Sequence, residues 1–167
     1  MPEPTPPAEP APHAASKRLP VLLRRAWYGL NQAFRQRIAH LGITPDQFSI
    51  LRWLNEGDPN GLTQRMITDL MASDPNTITS TLTRMERAAL VSREPHERDK
   101  RAHRVRMKPK GRRVFEEGRE LAIDLQAQML KALPEARRGG FLDELAAIAD
   151  ACAQASERAA KRKAPKS

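Results

Sequence analysis

The chain has 167 residues, a formal net charge of +9 and one cysteine. That bounds it to one domain with tails and excludes an intramolecular disulfide. No secretory h-region and no apolar run of membrane-spanning length is present, so a cytoplasmic protein with no membrane partner is expected.

The first 17 residues hold six prolines, many alanines and no apolar run. Such a segment buries too little to offset its ordering entropy, and 1–17 is expected to be a disordered tail. From Leu19 onward, Leu23, Trp27, Leu30, Phe34, Ile38 and Leu41 recur at gaps of three and four. That stripe predicts a helix over about 19–41, ended by Gly42. Thr44-Pro45-Asp46-Gln47 is a helix start, with Thr44 as cap, Pro45 at the first position and Gln47 closing a capping box. Ile43 and Phe48 sit where a hydrophobic staple belongs, and Ile50, Leu51 and Leu54 continue the stripe until the 56–61 segment breaks it.

Thr63 predicts the cap of a third, short helix to about Met71, with Met66, Ile67 and Leu70 inward. Asp74 and Pro75 open a fourth. Leu90 to Glu94 reads as a strand, and Ala102 to Lys108 as its partner. In the partner His103, Val105 and Met107 share one face, and Arg104, Arg106 and Lys108 the other. Pro109 starts a long helix to about Leu133, and Pro134 interrupts it. A last helix over about 136–154 carries Phe141, Leu142, Leu145, Ile148 and Cys152. Residues 155–167 are expected to be a basic, disordered tail. The expected fold is mainly α with a small β-hairpin wing, over a domain of 18–154.

On the fourth helix Ile78, Leu82 and Met85 mark a buried edge. Asn76, Ser80, Thr83 and Arg87 lie opposite, flanked by Thr77 and Arg84. Short polar side chains let a helix approach a groove floor, and Asn, Ser, Thr and Arg are residues that contact bases and phosphates. From Ser92 to Arg113 ten Lys/Arg stand against three acidic residues. Alone, that density also describes a solvated loop. Beside such a helix it fits a cationic wing on duplex DNA, with Arg98, Asp99, Lys100, Arg101, Arg104 and Arg106 as its candidate contacts.

The segments Leu62-Thr-Gln, Asp74-Pro-Asn-Thr-Ile-Thr, Leu82-Thr-Arg-Met-Glu-Arg-Ala-Ala-Leu-Val91, Asp99-Lys-Arg101 and Gly111-Arg together resemble the multiple-antibiotic-resistance regulator (MarR) family of winged helix-turn-helix regulators. The resemblance spans about Leu19 to Ala153. It implies a winged lobe over about 43–110 and dimerisation helices over about 19–41 and 109–154. It also implies a homodimer reading a pseudo-palindrome, with Arg101 in the minor groove and Asp99 orienting it. Two residues depart from the family pattern. Ala89 stands where glycine is common, which predicts a looser turn after the recognition helix. Met107 to Gly111 lacks the usual threonine cap, a role Pro109 takes over in starting the helix.

The four histidines show no ligand spacing, and no metal or other cofactor is expected. Cys152 is expected on the buried face of its helix, where packing outweighs a redox role. No nucleophile–base pair or phosphate-binding loop is visible, so the chain is not expected to be an enzyme. Trp27, Asn31 and Phe34, with Phe48, Arg52 and Trp53, form a candidate pocket for a small aromatic or phenolic effector, or else ordinary core. The reading is a ligand-relieved repressor of transcription on double-stranded DNA. The alternatives are a sequence-neutral DNA-compacting protein and a winged-helix module for protein interaction.

Overall fold

The computed structural model describes residues 17–95 and 103–163, with side chains described through residue 158. The chain runs α1 (Leu19–Arg37), a 3-10 turn (Ala39–Leu41), α2 (Pro45–Glu56), β1 (Leu62–Thr63), α3 (Gln64–Leu70), α4 (Pro75–Arg87), β2 (Val91–Pro95), β3 (His103–Met107), α5 (Pro109–Leu130) and α6 (Glu135–Lys163). Residues 1–16 of the expected tail over 1–17 and the wing tip over 96–102 lie outside the described residues. Two compact units divide the chain, one ending at Ile123 and one starting at Asp124.

Local chemistry sets most element ends in the first unit. α1 stops at Arg37, a 3-10 turn follows, and Gly42 takes the left-handed conformation (φ 68°) that ends it. Thr44 and Gln47 form the reciprocal capping box, so two amides that a helix start leaves unbonded are satisfied at once. Thr63 accepts from Met66 N, and Asp74 from the amides of Asn76 and Thr77. Ile43 and Phe48 are both buried, as a staple requires.

The core of this unit gathers Ile38, Ile50, Leu51, Ile67, Ile78, Leu82, Met85, Val91 and Val105, all but fully buried. Four positions on the expected stripes do not join it. Trp27 is 63% exposed, and Leu30, Met66 and Leu70 are also out in solvent. α3 has only seven residues, and one apolar side chain, Ile67, anchors it.

The hairpin is part of a three-stranded antiparallel sheet ordered β1-β3-β2. Leu62 pairs with Val105 and Thr63 with Arg104, while β2 and β3 run in register from Val91–Met107 to Pro95–His103. β1 was not expected, because two residues carry no periodicity of their own. Gly61 precedes it at φ 94°, and a Cβ there would stand 2.3 Å from the Val105 carbonyl oxygen.

The turn after α4 corrects the looser one predicted from Ala89. Leu90 N donates to Met85 O and Ala89 N to Glu86 O, each at 2.9 Å, a complete Schellman motif. Ala89 supplies the left-handed residue itself, at φ 57°. α5 then presses onto this turn. Gly111 lies so close that a Cβ would sit 2.2 Å from the Leu90 carbonyl oxygen. The same oxygen accepts from Lys108 N.

In the second unit α5 ends in tight 3-10-type bonds, and Arg138 Nε donates to the carbonyls of Leu130 (3.0 Å) and Leu133 (3.2 Å). α6 is longer than expected. It runs through Lys163, which replaces the end at about 154 and the structureless reading of 155–163, while residues 164–167 lie outside the described residues. The alanine, glutamate, arginine and lysine of that stretch are strong helix formers. Cys152 is exposed and free, correcting its expected place on a buried face.

Candidate nucleic-acid interface

α3 and α4 form the helix-turn-helix. A second Schellman motif makes its turn: Ala72 N donates to Asp69 O and Ser73 N to Thr68 O, with Ala72 left-handed at φ 45°. Gln64 on α3 donates from Nε2 to Thr79 Oγ1 on α4 at 2.7 Å, locking the two helices in angle. α4 buries Ile78, Thr81, Leu82 and Met85, so its opposite side is free of the core.

That free side holds Asn76, Ser80 and Arg87, all exposed, and the half-exposed Thr83. Neither Asn76 nor Arg87 has a side-chain partner among the described residues. Thr77 and Arg84, the flanking pair, are exposed but engaged. Thr77 Oγ1 donates to the capping carboxylate of Asp74, and Arg84 Nη2 to Thr81 Oγ1 at 3.2 Å. The Thr77 hydroxyl, then its backbone amide, holds the Asp74 carboxyl below its ordinary value. The threonine content of this region is therefore partly architectural. Thr63 caps, Thr68 bonds Gln64 O, Thr79 receives Gln64, and Thr81 is buried.

The wing residues divide. Arg98, Asp99, Lys100 and Arg101 lie outside the described residues. Arg104 and Arg106, expected as DNA contacts, turn toward the loop before β1. Arg104 Nη1 donates to Gly61 O at 3.1 Å and stands 3.5 Å from Asp58 Oδ2. Arg106 Nε donates to Asn60 O at 2.9 Å, and its Nη1 is 3.4 Å from Glu94 Oε2. Asp58 is held below its usual pKa, first by the Asn60 amide and then, against some desolvation, by the Arg104 charge. These two arginines brace the sheet.

Glu86 and Arg93 were missed. Glu86 Oε2 accepts from Arg93 Nη2 at 2.6 Å and from Nε at 2.9 Å, and Oε1 accepts from Arg93 N at 3.2 Å. This clamp ties the end of α4 to the first wing strand. Arg93 is the chief reason that the Glu86 carboxyl is held below its ordinary value. The signal was two opposite charges seven residues apart, which face each other only after the Ala89 turn reverses the chain.

The six candidate pocket residues are not brought together. Phe34 and Phe48 are core, in edge contact with centroids 4.9 Å apart, and Phe48 stacks on Phe115 at 5.6 Å. Arg52 lies over the Phe48 ring at 5.2 Å, and Trp53 is half-buried. Trp27 and Asn31 instead line an open cleft of about 350 Å³ with Tyr28, Gln32, Arg35, Pro45 and Asp46. Among the described residues no three His, Cys, Asp or Glu lie close enough to hold a metal, and no helix is long and apolar enough to cross a membrane. His40 is engaged elsewhere, its Nε2 3.0 Å from Glu117 Oε1.

Comparison with known proteins places this architecture. A family model described as the MarR family matches residues 41–102. No curated protein sequence matches the chain. Among solved structures, a probable transcriptional regulator from Pseudomonas aeruginosa is 27% identical, with a TM-score of 0.71 over 79% of this chain and 97% of that one. The transcriptional repressor CouR, bound to a 23-mer DNA duplex, is 25% identical, with a TM-score of 0.76 over 85% and 99%. BpsR of Bordetella bronchiseptica, whose DNA binding is regulated by 6-hydroxynicotinic acid, is 24% identical, with a TM-score of 0.74 over 84% and 99%. With the family model lying across α2 to the wing and regulators of this type matching nearly end to end, the chain is similar to the MarR family of winged-helix transcriptional regulators.

Proposed function

We propose that the chain is a cytoplasmic, homodimeric repressor that binds a pseudo-palindromic operator and is released by a small aromatic or phenolic effector. The observation that carries this reading is α4. Its buried edge is complete, and its outer stripe of Asn76, Ser80, Thr83 and Arg87 is left facing solvent beside a cationic wing. A recognition helix needs that division, since core packing holds it while short polar side chains meet the base edges. The winged lobe spans about 43–110, and the helices on either side form the dimer. Thr77, Arg84 and the wing-tip group of Arg98, Asp99, Lys100 and Arg101 complete the DNA contacts. The cleft beside Trp27, Asn31 and Arg35 suits an aromatic anion better than the six-residue pocket expected from sequence, because aromatic surface and a cation meet there in the open. Regulation of BpsR by 6-hydroxynicotinic acid supports that class of effector.

Footprinting with excess competitor DNA tests the reading. A discrete protected palindrome is expected. Uniform coverage would indicate a DNA-compacting protein, and no protection a protein-interaction module. Replacing Arg101 with alanine should weaken operator binding by about 1–3 kcal/mol at fixed salt, with Asp99→Ala acting in the same direction but less. Unchanged affinity in Arg101→Ala would remove the wing tip from the interface.

A further inference from the structure

The hydroxyl protons on α4 are already spent. Thr79 Oγ1 donates to Pro75 O at 2.7 Å, Ser80 Oγ to Thr77 O at 2.9 Å, and Thr83 Oγ1 to Thr79 O at 2.9 Å. Thr77 Oγ1 donates to the Asp74 carboxylate. Carbonyl and carboxylate oxygens only accept, so in each pair the hydroxyl is necessarily the donor. What these side chains retain for a base is a lone pair and, on threonine, a methyl group. Turning a hydroxyl outward to donate would give up a bond to the helix's own backbone. Asn76 differs: among the described residues its amide has no partner, so it offers a donor and an acceptor together.

Base pairs answer this surface unequally. Guanine shows two acceptors in the major groove, adenine an acceptor beside an amino donor, and thymine a methyl. Two acceptors find no donor on Ser80 or Thr83. We infer that Asn76 and Thr83 read A·T pairs, with Asn76 pairing to adenine through both amide atoms and the Thr83 methyl packing on thymine, while a guanine under α4 falls to the exposed Arg87. This inference rests on α4 being the helix that enters the major groove, and it names two specificity-determining residues for that binding.

Selection of bound duplexes from random DNA, using the full chain, tests it. Wild-type protein should enrich a motif with one adenine and one thymine at fixed positions in the part of each half-site under α4. Asn76→Ala should relax one adenine per half-site by roughly tenfold, within the range of a single bidentate contact, and leave the other positions unchanged. Thr83→Val keeps the methyl and should preserve a thymine that Thr83→Ser loses. Thermal unfolding of each variant, matched to wild type, keeps folding defects out of the comparison. The inference is overturned if Asn76→Ala changes no position, if the relaxed position is a guanine, or if Thr83→Ser keeps the thymine and Thr83→Val loses it. A wild-type selection that enriches no motif would instead overturn the regulator reading, and this inference with it.

Discussion

Ala72 and Ala89 hold the two turns of the DNA-binding lobe in a conformation that suits glycine. Both have positive φ, and both complete Schellman motifs around which α3, α4 and β2 change direction. An L-residue there carries about 1–2 kcal/mol of strain between Cβ and backbone, while glycine costs about 0.5–1 kcal/mol more to order. Replacing Ala89 with glycine should therefore stabilise the protein by about 0.5–1 kcal/mol in urea denaturation, with Ala72→Gly close behind. A loss in both variants would show that the turns are not strained. Gly111 is the converse case. A Cβ 2.2 Å from the Leu90 oxygen forces α5 off the turn. Gly111→Ala should cost about 3 kcal/mol, the upper end of overpacking, whereas Gly29→Ala, with nothing within 4 Å, should be neutral or mildly stabilising. Equal midpoints for the two alanine variants would contradict the close approach.

Between elements, α4 and the wing are held to one another by polar side chains as well as by the apolar core. The Glu86–Arg93 clamp fixes the end of α4 to β2, and Arg104 and Arg106 fix β3 to the loop before β1. The clamp has a pH signature. Arg93 holds the folded Glu86 carboxyl below its ordinary 4.5. The unfolded chain therefore takes up this proton first as pH falls. The stabilisation is full above the ordinary value and is lost as pH drops through the lower folded value. Glu86 is about 38% exposed, so solvent screening trims the effect. The stability gap between wild type and Glu86→Gln should be widest near neutrality and close as pH falls below 4.5. A gap that does not change with pH would mean that the ion pair adds nothing to the clamp.

Apolar surface is left open in both units. On α1 Leu19, Val21, Leu22, Trp27, Tyr28 and Leu30 are exposed, and in the second unit Met129, Phe141 and Leu142. A monomer rarely leaves so many large apolar side chains open, and the proposed dimer would cover them. Leu142→Glu should shift the protein toward monomer in light scattering at micromolar concentration and weaken operator binding with it, because two half-sites need two linked lobes. Leu145, half-buried, should show the same loss together with a lower melting temperature when it is made charged. A wild-type monomer that binds the operator tightly would refute the dimer.

At most helix starts and stops, where a bond spans only a few residues, the structure follows the sequence; the tight turn at Ala89 is the exception. The Thr44–Gln47 capping box, the Asp74–Pro75 start, the Gly42 stop and the buried Ile78–Leu82–Met85 edge were all legible, since caps and helical periodicity depend on neighbours three or four residues away. Charge alternation on β3 was also legible, but its meaning was not. Arg104 and Arg106 also have partners on the loop at 58–61, more than forty residues earlier in the chain, which no local pattern shows. The aromatic residues divided for the same reason. Phe48 met Phe34 and, from α5, Phe115, and all three became core, while Trp27 on the same α1 stripe as Phe34 stayed in solvent. Periodicity states which face a residue occupies. Only the tertiary structure decides what that face meets, because burial and ion pairing depend on segments that sequence order keeps apart.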